Sequence, residues 1–267
     1  MSTVELNADN QISATLNAER YNDLLRAFLA IKDICNDVDM REGIIRQRSN
    51  DKTSIFEIDL TPLFEEANVD ISQVNIAISA IKDKIDLLKA FAGQEVEIVI
   101  EPGEGGFFSI ADEFSLVKFV FPSLQFMDNK YMTRENLNIM FETSDDDLIL
   151  EYDISNMMSE RIKVITSSFH TDVIQVKFEG EEAIAVAATQ AKDQFAEIIK
   201  GITMNKVIEG CSVNLSNIPF GLDHDTKIEF KMYKDPNQDI SLNTFTTSVG
   251  VVQVSIFTRS AIISDND

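Results

Sequence analysis

The chain has no tryptophan, and only two cysteines, two histidines and five prolines among its 267 residues. His170 and His224 have neither a local nucleophile nor ligand spacing beside them, so no Ser-His-Asp or zinc constellation can be read. Cys35 and Cys211 sit in apolar surroundings and read as inert core thiols of a reducing, intracellular compartment; spacing alone leaves a disulfide between them open. No run of about 18 apolar residues occurs, so no membrane span is expected. The start, MSTVELNADN, lacks a basic region and an apolar core, so no secretory signal is expected. Gly103-Glu104-Gly105-Gly106 joins two strands, whereas a phosphate loop needs a strand before it and a helix after it. Ser144-Asp145-Asp146-Asp147 lacks the spacing and glycine of a calcium loop. Glu95, Glu97 and Glu101 line the outward face of a strand, which makes them a poor acid–base set. No catalytic residue, metal or cofactor is therefore expected. Positive charge is also scarce: 23 Lys and Arg stand against 45 Asp and Glu, a net charge of −22. A protein that grips nucleic acid with its whole surface would be basic, so any polyanionic partner must meet a small, segregated region.

An apolar share of 44% is ordinary for a globular protein and too high for disorder. The stretch Ala77 to Pro102 shows how the chain is organised. Ile81, Ile85 and Leu88 fall on one helical face, Gly93 supplies a stop, and from Glu95 the period becomes two, with Val96, Ile98 and Ile100 on the inner side. The rest varies this unit. Ile12–Leu16 reads as a strand, followed by a helix from Asn17 to about Asp33 with Tyr21, Leu24, Leu25, Phe28 and Ile31 inward. Strands are expected at 34–38, 44–48 and 55–60, a helical turn at 62–67, and a strand at 113–121. Residues 122–147 break the rhythm and read as a linker longer than most loops inside a domain. After it come a strand at 148–152, a helix capped by Asp153 or Ser155 with Met158, Ile162, Ile165 and Phe169 inward, and strands at 172–178 and 183–188.

Residues 194–202 carry helical spacing at Phe195, Ile198, Ile199 and Ile202, yet the repeat argues for a strand. The first two long helices begin about 61 residues apart, which places the partner of the third near residue 216, where Ser216 to Gly221 offers a cap, a proline and a glycine stop. Strands at 226–233, 240–247 and 251–258 and an acidic tail, 264–267, close the chain. The reading is an α+β fold made of a duplicated unit of roughly 120 residues, each with two helices on a large antiparallel sheet. The domains are 1–121 and 148–267, joined by a connecting loop, 122–147.

Charge is unevenly distributed over this plan. Windows covering the three longer helices hold eight basic and six acidic residues, which leaves about −24 on the rest of the chain. Arg26, Lys89 and Lys163 lie away from or beside the apolar faces of their helices, and Arg20, Lys82 and Arg161 flank them. Strands 113–121 and 194–202 read as apolar edges, with Val117, Phe119, Ile198 and Lys200 as candidate contacts between copies. Leu124, Phe126 and Met127 are large apolar residues in an otherwise polar linker, suited either to pinning it down or to receiving a peptide anchor.

Four stretches together resemble the DNA polymerase sliding clamps of the proliferating-cell-nuclear-antigen type, and the plan is similar to the shorter clamps of tailed bacteriophages. They are Leu88 to Gly93 with its acidic strand, Asp33 to Leu60 with Gly43 to Gln47 and the Ser49–Lys52 turn, Glu113 to Phe121 running into the linker, and Val213 to Tyr233. The chain departs from the family in a fourth helix without Lys or Arg and in Ala261-Ile262-Ile263 where a Pro-Lys pair is usual. The resemblance implies a homotrimeric ring of two-domain subunits, sheets outside and helices toward duplex DNA, that holds a polymerase by topology and is opened by a clamp loader. It further implies that Ile256 and Phe257 floor the peptide groove, and that Arg20, Arg26, Lys82, Lys89, Arg161 and Lys163 face the duplex. The competing reading is a structural or interaction protein, such as a virion component built from a duplicated sheet. A clamp would work in the cytoplasm, that of a host cell if viral.

Overall fold

The computed structural model describes residues 11–72, 74–103, 105–170, 173–179, 182–188, 194–199, 203–205, 210–214, 217–218 and 227–263. The chain divides into two compact units: residues 1–133 with Ser248–Val254, and residues 134–247 with 255–267. The division falls inside the expected connecting loop, at Thr133/Arg134, and the segment Ser248–Val254 belongs to the first unit.

In the first unit the strands are β1 (Ile12–Leu16), β2 (Val38–Arg41), β3 (Ile44–Arg48), β4 (Ser54–Asp59), β5 (Asn75–Ile78), β6 (Val96–Glu101), β7 (Phe107–Ala111) and β8 (Leu116–Val120). The helices are α1 (Ala18–Ile31), α2 (Thr61–Glu66) and α3 (Ile81–Lys89). One sheet runs β1-β6-β7-β8, and β5-β2-β3-β4 are antiparallel neighbours in another. The helix–strand unit forms as its periods dictate: Ile81, Ile85 and Leu88 are buried on α3, and Val96, Ile98 and Ile100 on β6. Asn17 caps α1, its side chain accepting from the Arg20 amide at 2.9 Å. Tyr21 joins α1 to α3, donating its hydroxyl to the Leu88 carbonyl at 2.6 Å and meeting Phe91 edge-on.

Two expectations change here. Residues 34–36 are the turn leaving α1, with Ile34 and Cys35 amides bonded back to Ile31; the strand begins at Val38. β5 was not expected at all. Both strands hide the period-two signal because β2 (through Asp39 as well as Val38 and Met40) and β5 (Ile76, Ala77 and Ile78) are covered on successive residues.

The second unit contains α4 (Arg134–Met140), β9 (Leu148–Ile154), α5 (Asn156–Phe169), β10 (Val173–Glu179), β11 (Glu182–Ala188), β12 (Gln194–Ile199), β13 (Thr203–Met204), β14 (Gly210–Asn214), β15 (Ile228–Lys234), β16 (Ile240–Val249) and β17 (Val252–Ile263). Its strands follow the order β12-β11-β10-β14-β17-β16-β15-β9-β13. The segment with helical spacing is thus strand β12, Ile198 lying opposite Ile184. The expected linker is not structureless: it carries α4 and two short 3-10 turns, 124–126 and 145–147. Ser155 receives the Met158 amide at 3.3 Å at the start of α5, and Met158, Ile162 and Ile165 are buried. The short helix expected at 217–222 and the acidic tail lie largely or wholly outside the described residues. No helix among the described residues is long and apolar enough to cross a membrane.

Candidate nucleic-acid and partner surfaces

The candidate cations of the first unit all stand on α1 and α3, and each has an acidic companion. Arg20 donates to Asp23 at 3.0 Å and to Glu66 of α2, with Glu19 at 3.7 Å. Hydrogen bonds to Asp23, and then Glu66, raise its pKa above the ordinary arginine value. Arg26 lies 3.9 Å from the same Asp23, Lys82 pairs with Asp33 at 2.8 Å and Lys89 with Asp86 at 2.9 Å. Lys84, which the helix pattern did not single out, is half-buried, with its ammonium on the Ser79 carbonyl and 5.7 Å from the Phe119 ring. Desolvation lowers its pKa, partly offset by Asp37. Arg161 and Lys163 are exposed on α5 of the second unit. The helix surface of the first unit is therefore a row of screened cations, which suits weak and reversible contact with phosphate rather than tight capture.

The linker is fastened to the first unit by a polar network. Buried Asp37 accepts from the Asp128 and Ala80 amides, at 2.6 and 3.1 Å. Asn129 accepts from the Asn36 amide at 3.0 Å and donates to the Arg48 carbonyl at 2.8 Å. The Arg41 and Arg46 guanidinium groups lie over the Tyr131 ring, 5.1 and 5.8 Å from its centroid, while Arg46 also pairs with Glu57 and bonds the Tyr131 hydroxyl at 3.1 Å. These bonds satisfy groups that would be costly to bury alone. Sequence reasoning missed the network because its members, spread from residue 36 to 132, share no local period.

Of the candidate peptide-groove residues, Leu124 and Phe126 are exposed, whereas Met127 is buried and pins the linker. Leu124 lines a groove of about 420 Å³ with Ile76, Ala77 and Phe121. Ile256 is fully buried in its sheet and cannot floor a surface groove, which corrects that expectation: on β17 the inward and outward positions alternate, and Ile256 falls inward. Phe257 falls outward and lines a different groove, of about 720 Å³, in the second unit. There it meets Phe141 at 5.6 Å beside Leu137, and Arg259 lies over the Phe141 ring and donates to the Met140 carbonyl at 2.7 Å.

β8 and β12 each end their strand order. On β8 the candidate contacts are the less exposed positions: Phe119 is buried and Val117 half-buried, because they belong to the inward set. The outward set was missed. Phe114, Leu116 and Val120 are 87%, 67% and 60% exposed, and Lys118 covers the Phe107 ring at 3.4 Å. Ile198 lies on β12, and Lys200 is outside the described residues.

No family model and no curated protein matches the sequence. Solved structures do match its fold. Proliferating Cellular Nuclear Antigen from Entamoeba histolytica matches with a TM-score of 0.63 and 12% identity, over 94% of this chain and 98% of that one. The PCNA2-PCNA3 complex from Sulfolobus tokodaii matches with a TM-score of 0.61 and 15% identity, over 93% of this chain and 99% of the matched chain. At that identity the likeness is one of fold, and it spans nearly the whole length of all the chains involved. This chain has the α+β fold of the proliferating-cell-nuclear-antigen type sliding clamps.

Proposed function

We propose that this chain is a DNA sliding clamp, a non-enzymatic processivity factor that closes with further copies into a ring around duplex DNA and tethers a replicative polymerase. On this reading three two-domain copies form the ring, helices inward, and a clamp loader opens it. Residues 1–121 and 148–267 act as the two clamp domains and 122–147 as their connecting loop. The supporting observation is the placement of charge on the clamp fold. Helices α1, α3 and α5 hold seven of the 23 cations and a net charge of +2, while the rest of the chain carries −24. The outside of such a ring repels DNA and leaves threading as the favourable pose. Contacts to phosphate alone read no sequence, as sliding requires. β8 and β12, which end their strand orders among the described residues, supply a head-to-tail joint on this reading, which closes into a ring when the rotation between copies allows it. Grooves beside Leu124 and beside Phe257 are the places for apolar anchors of polymerase and loader.

The native mass of the purified protein tests the ring, and DNA topology tests the threading. A ring of three copies should admit a short linear duplex by its end and, without a loader, exclude a covalently closed minicircle of the same sequence. A monomer, or equal binding to both DNAs, would overturn the reading and favour the structural-protein alternative.

A further inference from the structure

Two of the proposed DNA-facing arginines share one buried acid. Asp23 is 2% exposed; it accepts from Arg20, one turn before it on α1, and lies beside Arg26, one turn after it. The other acids paired with candidate cations, Asp33 beside Lys82 and Asp86 beside Lys89, are exposed, so water and salt weaken those pairs. Asp23 cannot swing out. The hairpin tip at Gly250 sits on its carboxylate so closely that a Cβ at Gly250 would fall 2.0 Å from Oδ2. A carboxylate held there must stay paired, because burying it alone is costly. It therefore remains beside both guanidinium groups when a phosphate approaches, and Glu66 adds a second acid to Arg20.

We propose, resting on the clamp reading, that Asp23 is a positioning residue that fixes the two α1 arginines and screens their charge, so that this helix slides over phosphates instead of adhering to them. An arginine already neutralised within the protein displaces few counterions from DNA and adds little to the salt dependence of binding. Removing the screen should convert these arginines into ordinary phosphate contacts.

The test is the affinity for a short linear duplex, followed by fluorescence anisotropy over a range of salt concentrations. Asp23→Asn keeps the shape and removes the charge. Its affinity should exceed wild type at low salt, and its plot of log affinity against log salt should steepen by about 0.9 for each arginine that gains a phosphate. That is about an eightfold larger affinity change per tenfold change in salt. Glu66→Gln, at an exposed position, should steepen the plot through Arg20 and decides the matter if Asp23→Asn does not fold. A merely structural role for Asp23 would lower the melting temperature without moving the slope. An unchanged or shallower slope in Asp23→Asn, or in Glu66→Gln where only that variant folds, overturns the inference. Failure of the clamp reading would show separately, as wild-type protein that binds closed minicircle and linear duplex alike.

Discussion

Gly250→Ala should be among the more damaging single-methyl changes available to this protein. Gly250 opens the two-residue turn between β16 and β17, with φ at +59°. Hairpin turns of this length need a positive φ there, which glycine adopts without strain. Alanine in that region costs about 1–2 kcal/mol. The added methyl would also lie 2.0 Å from Asp23 Oδ2 and 2.2 Å from its Cγ, inside any tolerable contact. Either the tip lifts or the Asp23 side chain turns away from Arg20 and Arg26. Loss of a charge-assisted hydrogen bond adds about 1.5–3 kcal/mol. Together these reach about 2.5–5 kcal/mol, a large share of the stability of an ordinary domain. For a protein of this size that lowers the melting temperature by on the order of 10 °C.

A double-mutant cycle separates the two causes by calorimetry. With Asp23→Ala already in place the three atoms nearest the added methyl are gone, so Gly250→Ala should cost mainly the backbone strain. The coupling between the two sites should be about 1.5–3 kcal/mol. A melting point within a degree or so of wild type (about the resolution of such a scan) would refute the seating of the tip on Asp23. Additive costs for the pair would leave backbone strain as the whole effect and refute the clash.

Three further outcomes are expected. Val117→Pro removes a backbone donor from edge strand β8 and should give monomers in sedimentation; an unchanged oligomer would place the joint elsewhere. Leu124→Ala with Phe126→Ala should weaken an apolar anchor peptide from polymerase at least tenfold while leaving the oligomer intact, since both side chains are exposed; unaltered affinity would favour the groove at Phe257. Burial pushes the Cys35 and Cys211 thiols from 9.0 up to about 12, with Asp37 adding to the effect at Cys35. The unfolded chain loses these protons first, so their contribution is intact below pH 9 and is lost as the pH climbs toward about 12. Each thiol contributes a slope of about 1.4 kcal/mol per pH unit. Urea midpoints should fall less steeply over that window in Cys35→Ala/Cys211→Ala, and an equal fall in both proteins would show that the thiols titrate normally.

The elements whose periodicity is local were legible in the sequence. α1 with its Asn17 cap, α3 turning into β6, and β15 of the second unit each bury one face more deeply than the other, so their pattern repeats at 3.6 or 2 residues. The order of the three longer helices and of most strands, the two edge strands and the small net positive charge of those helices also follow from the chain alone, because they depend on sequence position and residue type. The clamp resemblance built from short stretches agrees with the full-length fold match.

Tertiary structure decided whatever depends on residues meeting across long separations. β2 and β5 became strands because neighbours cover both of their faces, which erases the alternation a sequence shows. The linker found its place through Asp37, Asp39 and Asn129, whose partners lie some 80–90 residues away. On β8, pairing with β7 turned Phe119 inward and left Leu116 and Val120 outward, a choice that a one-residue change of register would reverse. Composition set how few cations this chain has, and residue order set which helices carry seven of them. Packing fixed how much of each charge is left to act, because only the folded backbone brings Asp23, Glu66 and the Gly250 tip onto the same two arginines.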